Sequence, residues 1–299
     1  MNRMSTEKRA QIVAALVEGN GIRATGRMTG TSINTIMKLL NDLGMVCSIH
    51  QDRALRDLDC KRVQCDEIWS FIGAKKKNVK PERRAEGWGD SWTWTALDSD
   101  SKLVLSYRVG PRDLGEATAF MKDVASRLRN RVQLTTDGMS NYLLAVEGAF
   151  QGDVDYAMLI KVYGTDQDSR KPERRYSPSV CLGSDVVPIS GSPNPDHIST
   201  SHVERLNLTT RMSVKRFARL TNAHSKRVEN HIAAVSLHFF HYNFCRVHQT
   251  LGTTPAVAAG VADHVWTLDE LIDLLVEAEN AVPQKRGPYK PRKPKVISK

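Results

Sequence analysis

Asp66, Asp137 and Glu204 are the side chains of this 299-residue chain best suited to joint chemistry. Asp66 lies in the run VQCDEIWSFI, Asp137 stands before Gly138, and Glu204 belongs to SHVERLN. Brought together, three carboxylates could hold two Mg²⁺ ions ~3.5–4 Å apart, activating an attacking oxygen and stabilising the leaving oxygen of a phosphodiester. Mg²⁺ takes hard oxygen ligands and keeps part of its water, so Asp and Glu suit it better than His or Cys. Each carboxylate also has an ordinary reading. Asp137–Gly138 is a good turn pair, and Ser201-His202-Val203-Glu204 has the form of a capping box. Asp66 competes with Glu67, because strand alternation puts the two on opposite faces and the apolar pattern does not select one.

The elements that would position these groups are legible as changes of period. Val63–Ile72, Ser91–Leu97 and Leu103–Val109 are rich in β-branched and aromatic residues, with Asp98–Ser101 as the turn between the last two. A helix at Leu114–Arg129, a strand at Val132–Thr136, a helix at Asn141–Phe150 and a strand at Tyr156–Tyr163 follow. Three strands, helix, strand, helix, strand is the order of an RNase H-like α/β domain, a mixed sheet flanked by helices, expected over 61–222. In such a sheet Asp66, Asp137 and Glu204 converge. Residues 164–200, with five prolines, form an irregular insertion within that span. Helices at 201–219, 225–243 and 267–280 complete the ordered chain, the last two in a helical C-terminal region at 223–282.

Ahead of the sheet, residues 1–45 form an all-α domain, joined to it by a connector at 46–60. Residues 5–17 make one helix, Ile22–Met28 a second, and Ser32–Leu43 a third after Thr29-Gly30-Thr31. That is the helix-turn-helix pattern, which lays the helix after the turn in the DNA major groove with Ser32, Asn34, Thr35 and Lys38 facing bases or phosphates. Three small packed helices without any DNA would read the same way.

Charge points to a polyanionic partner. The chain carries 43 Lys and Arg against 33 Asp and Glu, and the seven basic residues of 283–299 take the net charge from +3 to +10. That prolyl tail, including Lys285, Arg286, Lys290, Arg292 and Lys293, reads as a disordered arm that would bind a polyanion by releasing its counterions, or as a tail that only solubilises the chain. Lys75, Lys76 and Lys77 form a second basic cluster in a Gly/Pro-punctuated loop. No apolar run reaches membrane-spanning length, the N-terminus lacks the apolar core of a signal peptide, and five cysteines without a CxxC pair suit reduced thiols, so a cytoplasmic protein is expected. His238, His241 and Cys245 have helical spacing that could serve Zn²⁺, although histidines on a long amphipathic helix are more often structural. Trp88, Trp92 and Trp94 could stack on a flipped base, while alternation makes Trp92 and Trp94 one core face.

Several long segments are familiar together: DEIWSF (66–71), WTWTALDSDSKLVLSYRVG (92–110), RVQLTTDGMSNY (131–142), STSHVERLNLTTRMSVKRFARLTNAHSK (199–226) and HYNFCRVHQTLGTTPA (241–256). In this order they resemble bacterial insertion-sequence transposases of the DDE superfamily, nearest the insertion element one group. The resemblance runs from about residue 5 to 266. It implies that Asp66, Asp137 and Glu204 are the catalytic, metal-holding triad, with Asp66 preferred to Glu67 on this ground. It also implies two Mg²⁺ ions, replaceable by Mn²⁺, and contacts to DNA from Arg211 and Lys215. Double-stranded DNA as terminal inverted repeats and target, a homodimer or higher multimer holding two ends, and a bacterial, nucleoid-associated location follow from the same likeness. Some relatives carry an N-terminal cysteine zinc finger that this chain lacks. Two other readings are a helix-turn-helix repressor derived from a transposase, without catalysis, and an RNase H-like nuclease that cuts without joining.

Overall fold

Local signals start and stop the N-terminal helices. Ser5 caps α1 (Thr6–Val17) by accepting from the Lys8 N–H at 3.3 Å, and Gly30, at φ +64°, ends α2 (Ile22–Thr29) in the left-handed conformation that glycine adopts without strain. Ser32 caps α3 (Ile33–Ala54). The computed structural model describes residues 4–164, 181–218 and 221–281. Within them, α3 runs 22 residues, well past the Leu43 boundary and through much of the connector expected at 46–60. Val46, Cys47 and Gln51 continue its buried stripe.

The sheet is mixed and, among the described residues, six-stranded, in the order β3-β2-β1-β4-β5-β6. Its strands are β1 (Arg62–Ile72), β2 (Gly89–Asp98), β3 (Val104–Gly110), β4 (Gln133–Asp137), β5 (Asp155–Tyr163) and β6 (Cys181–Ser190). β1, β2 and β3 form an antiparallel meander, β4 lies parallel to β1 and β5 parallel to β4, and β6 returns antiparallel on β5. Between β1 and β2 sits the single turn α4 (Pro81–Arg84). α5 (Leu114–Arg127), capped by Asp113, crosses from β3 to β4, and α6 (Asn141–Phe150) from β4 to β5. The first five strands and their helices have the expected order, compatible with an RNase H-like fold. β6 departs from expectation, since it is a regular edge strand inside the stretch taken as an irregular insertion.

α7 (Ser201–Ser213), α8 (Val228–Phe240), α9 (Pro255–Ala258) and α10 (Leu268–Ala281) follow. α7 and α8 cover one sheet face, where Val203, Leu206, Val235 and Phe239 pack on Ile68, Leu97 and Val104. On the other face Val63, Cys65, Trp94 and Leu134 meet Phe120, Tyr142 and Val146 of α5 and α6 in a core that continues through Ile36 and Leu43 to Phe240 and Leu275. α3 and α8 cross so closely that a Cβ on Gly44 would fall 2.4 Å from the Ala233 Cα. Arg9 of α1 pairs with Glu279 of α10 at 3.1 Å, joining the two ends of the described chain. Among the described residues no helix is long and apolar enough to cross a membrane.

Candidate active site

β1 and β4 run parallel with Cys65 in register with Thr136, so the next residues, Asp66 and Asp137, leave the paired section side by side. One carboxylate oxygen from each of Asp66, Glu67 and Asp137 lies within 4.8 Å of the others. Alternation still separates the first two. Glu67 points to the α5–α6 face, where Tyr142 donates to its Oε2 at 3.0 Å and Arg112 pairs with its Oε1, leaving its side chain 1% exposed. Asp66 points to the α7 face, and Asn207 of α7 donates to its Oδ2 at 2.7 Å.

Gln64, two residues before Asp66 and on the same face, sets α7 in place. Its Oε1 accepts from the backbone N–H groups of His202 and Val203 at 3.0 and 3.1 Å, satisfying donors that a helix start leaves free. Burial of Val203, Leu206 and Thr210 then sets the flanking stripe of α7, Glu204, Asn207 and Arg211, half-buried along the edge of the packed face. Glu204 Oε1 accepts from Lys161 Nζ of β5 at 2.6 Å and from Thr200 Oγ1 at 2.5 Å. The capping box is not formed. Thr200 is the N-cap, Ser201 is already helical, and the Ser201 N–H is taken by Ser199 Oγ. Glu204 is therefore bonded to the side chain of its N-cap and to Lys161, not to the backbone N–H of Ser201.

The site holds more negative charge than its surroundings balance. Removal from water, then Glu67 and Asp137, push the Asp66 carboxyl up to about 7. Burial also raises Glu67 and Asp137 above their ordinary range. Arg112 opposes this on both, reaching Asp137 Oδ2 at 3.5 Å while lying over the Trp92 ring at 4.8 Å. Such an all-oxygen, under-neutralised donor set fits a hard divalent cation. Thr95, opposite Asp66 in register, adds a buried hydroxyl that has no hydrogen-bond partner among the described residues.

No protein-family model and no curated protein matches the chain. Two solved transposase structures align weakly with it. One is the cryo-EM structure of the piggyBac transposase synaptic complex with hairpin DNA, 12% identical over 95% of this chain and 75% of that one, at a TM-score of 0.36. The other is the crystal structure of a pre-cleavage Mos1 transpososome, 10% identical over 95% and 82%, at 0.32.

The remaining candidate residues are distributed over the surface. Ser32, Asn34, Thr35 and Lys38 are exposed at the start of α3, where Ser32 is engaged as its cap and Lys38 pairs with Asp42. Lys75, Lys76 and Lys77 are exposed beside β1, Lys75 lying 5.5 Å from the Trp69 ring centre. Arg211 donates to the Phe217 carbonyl at 3.3 Å, and Lys215 is exposed just past α7. Lys285, Arg286, Lys290, Arg292 and Lys293 lie outside the described residues. His238 is buried and His241 half-buried, and desolvation lowers their pKa values to about 3 and about 4. Cys245 does not join them in a metal-binding group, the one such group among the described residues being Asp66, Glu67 and Asp137. Trp94 is buried in the core with its Nε1 donating to the Pro111 carbonyl at 3.1 Å, whereas Trp92 on the same face is half-buried under Arg112. Sequence reasoning missed Arg112, Lys161, Asn207 and Gln64, none of which lies near its carboxylate or helix partner in sequence.

Proposed function

We propose that the protein is a DDE-type DNA transposase in which Asp66, Asp137 and Glu204 form the catalytic triad. The observation that carries this reading is the side-by-side placing of two carboxylates where the parallel pairing of β1 and β4 ends, with a third on the helix that packs against β1. The resemblance of its long motifs to those of insertion-sequence transposases supports the same reading.

The triad would hold two Mg²⁺ ions, or Mn²⁺ in their place. Bound ions supply Lewis-acid chemistry, favouring an attacking oxygen and the oxygen that leaves. The chain's own part is positional. Asn207 fixes the rotation of Asp66, Lys161 holds the Glu204 carboxyl in place, and Arg112 keeps Glu67 paired beneath Asp137. Hydrolysis at an element end frees a 3′-hydroxyl, which then attacks a target phosphodiester in line, one P–O bond forming as the other breaks. On this reading the start of α3 contacts bases of the element ends, while Arg211, Lys215, the lysines at 75–77 and the basic tail contact phosphates. A multimer holds the two ends together.

The test is a strand-transfer assay with purified protein, Mg²⁺ and the DNA that flanks the gene on both sides. Nicks bearing 3′-hydroxyls and joined products are expected. Binding without cleavage would return the protein to the repressor class, and cleavage without joining to the nuclease class.

A further inference from the structure

A cleft of about 840 Å³ separates α1–α3 from the far end of α7 and the start of α8. Arg23 and Arg27 of α2, Lys215 and Arg216 past α7, and Lys226 ahead of α8 all line it, and among the described residues none of its lining is Asp or Glu. That absence is informative on a chain with 33 carboxylates. Leu16, Leu40 and Leu237, from three different helices, give its walls an apolar stretch, flanked by uncharged polar side chains such as Asn20, Thr221 and Asn230.

Arg216 gives the cleft its character. Its guanidinium donates to Ser225 Oγ at 2.9 Å and lies 3.8 Å from the Met37 sulfur, so its partners here are neutral. Loss of water lowers its pKa to about 10. A charge drawn out of water without an anion beside it is costly, and a ligand phosphate would offset that cost. α2 also begins at this cleft, and its cap, Gly21, supplies no side-chain oxygen to the first-turn N–H groups.

Cations and helix-start donors beside apolar walls match a group that is anionic at one end and flat and apolar at the other. We propose that the cleft receives one unstacked nucleotide of the bound DNA, its base between the apolar walls and its phosphate on Arg216 and the neighbouring cations. The volume is that of a small-molecule site, ~300–1,000 Å³, and does not admit a duplex. Glu204 and Ser213 are separated along α7 by roughly 14 Å, so a short stretch of one strand reaches both the carboxylates and the cleft. The proposal rests on the DNA-transposase reading and adds a residue-sized recognition site to it.

An unpaired base has already met the cost of leaving the stack, so the cleft should favour it. The experiment compares binding of the full chain to a short duplex with a central bulged 2-aminopurine and to the same duplex fully paired. The bulged probe should bind about tenfold tighter, with a change in 2-aminopurine emission. Ala24→Trp and Asn230→Trp fill the cleft from opposite walls. Each should abolish the preference and the emission change while leaving affinity for the paired duplex and the melting temperature as in the parent. Arg216→Gln should weaken the bulged probe selectively. Equal affinity of the parent for both probes, or a preference that survives both tryptophans, overturns the cleft proposal. Metal-dependent joining of DNA ends by that same parent would leave the transposase reading standing, whereas failure to bind either duplex removes both.

Discussion

Asn207 donates its side-chain amide to Asp66 Oδ2 across 2.7 Å, one turn of α7 beyond Glu204. The helix that brings the third carboxylate therefore also orients the first. Asn207→Ala should slow cleavage about 10- to 100-fold, the usual range for a partner that orients a metal ligand, and raise the Mg²⁺ concentration needed for half-maximal rate. DNA binding measured without metal should stay unchanged. A variant cleaving at the parental rate would show that Asp66 needs no such support.

Glu204→Gln should fold normally, since Lys161 and Thr200 can still donate to the amide oxygen, but lose cleavage and joining together. Ser201→Ala should change stability by no more than roughly 0.5 kcal/mol, because Ser201 is not the cap of α7. Thermal melts and the strand-transfer assay on both variants check this. A loss of about 1 kcal/mol in Ser201→Ala would restore the capping-box reading.

Glu67 and Arg112 form a pair in which only the arginine reaches solvent, with side-chain exposures of 1% and 38%. Arg112→Ala strands a buried carboxylate and should cost roughly 2–4 kcal/mol, somewhat less than a fully buried pair because Tyr142 still donates to Glu67. Adding Glu67→Gln should recover most of that loss. Alone, Glu67→Gln should retain far more cleavage than Asp66→Asn. Chemical denaturation of the two single variants and the double variant measures the coupling, and additive losses would mean that the pair contributes nothing.

The pH dependence follows from Asp66. Its carboxyl titrates near 7 in the metal-free fold but near 3.8 when unfolded, so between those values the folded chain binds more protons than the unfolded one. Stability from this group therefore falls as pH rises from about 4 to 7, and the full penalty is present above 7. Asp66→Asn should stabilise the metal-free protein at pH 8, by an amount on the order of 1–3 kcal/mol, with the gain vanishing toward pH 4. Added Mg²⁺ should raise the melting temperature of the parent at pH 8 and leave that of the variant nearly unmoved. A variant less stable than the parent at pH 8 would contradict the sign.

What could be read from the chain was whatever its local period determines. The first five strands, α5 and α6 lie within one or two residues of the sequence reading because their alternation or helical stripe is complete within each segment. α3 runs past the expected Leu43 end through Gly44, and what that glycine serves, room for Ala233 of α8, lies 189 positions away. β6 was invisible because as an outer strand it is exposed along nearly its whole length, so no alternation marks it. The choice between Asp66 and Glu67 had the same limit. It turns on which face α7 covers, and that is set by Gln64 receiving the start of a helix some 138 residues downstream. Arg112, Lys161 and Asn207 are pairings across the fold and leave no mark in spacing.

The unbroken course of α3 has a consequence for where DNA would be cut. Its 22 residues span roughly 33 Å, and the tight crossing of Gly44 and Ala233 that seats it on α8 lies about half-way along from the exposed Ser32–Lys38 start. A flexible linker would let a recognition module wander over its bound sequence. A rod clamped at mid-length acts as a ruler instead, so on the proposed transposase reading the distance from a recognised sequence to the severed bond would be set by the protein's backbone. Lengthening the spacer in the DNA should abolish cutting at the new boundary, because the rod has no slack with which to follow it.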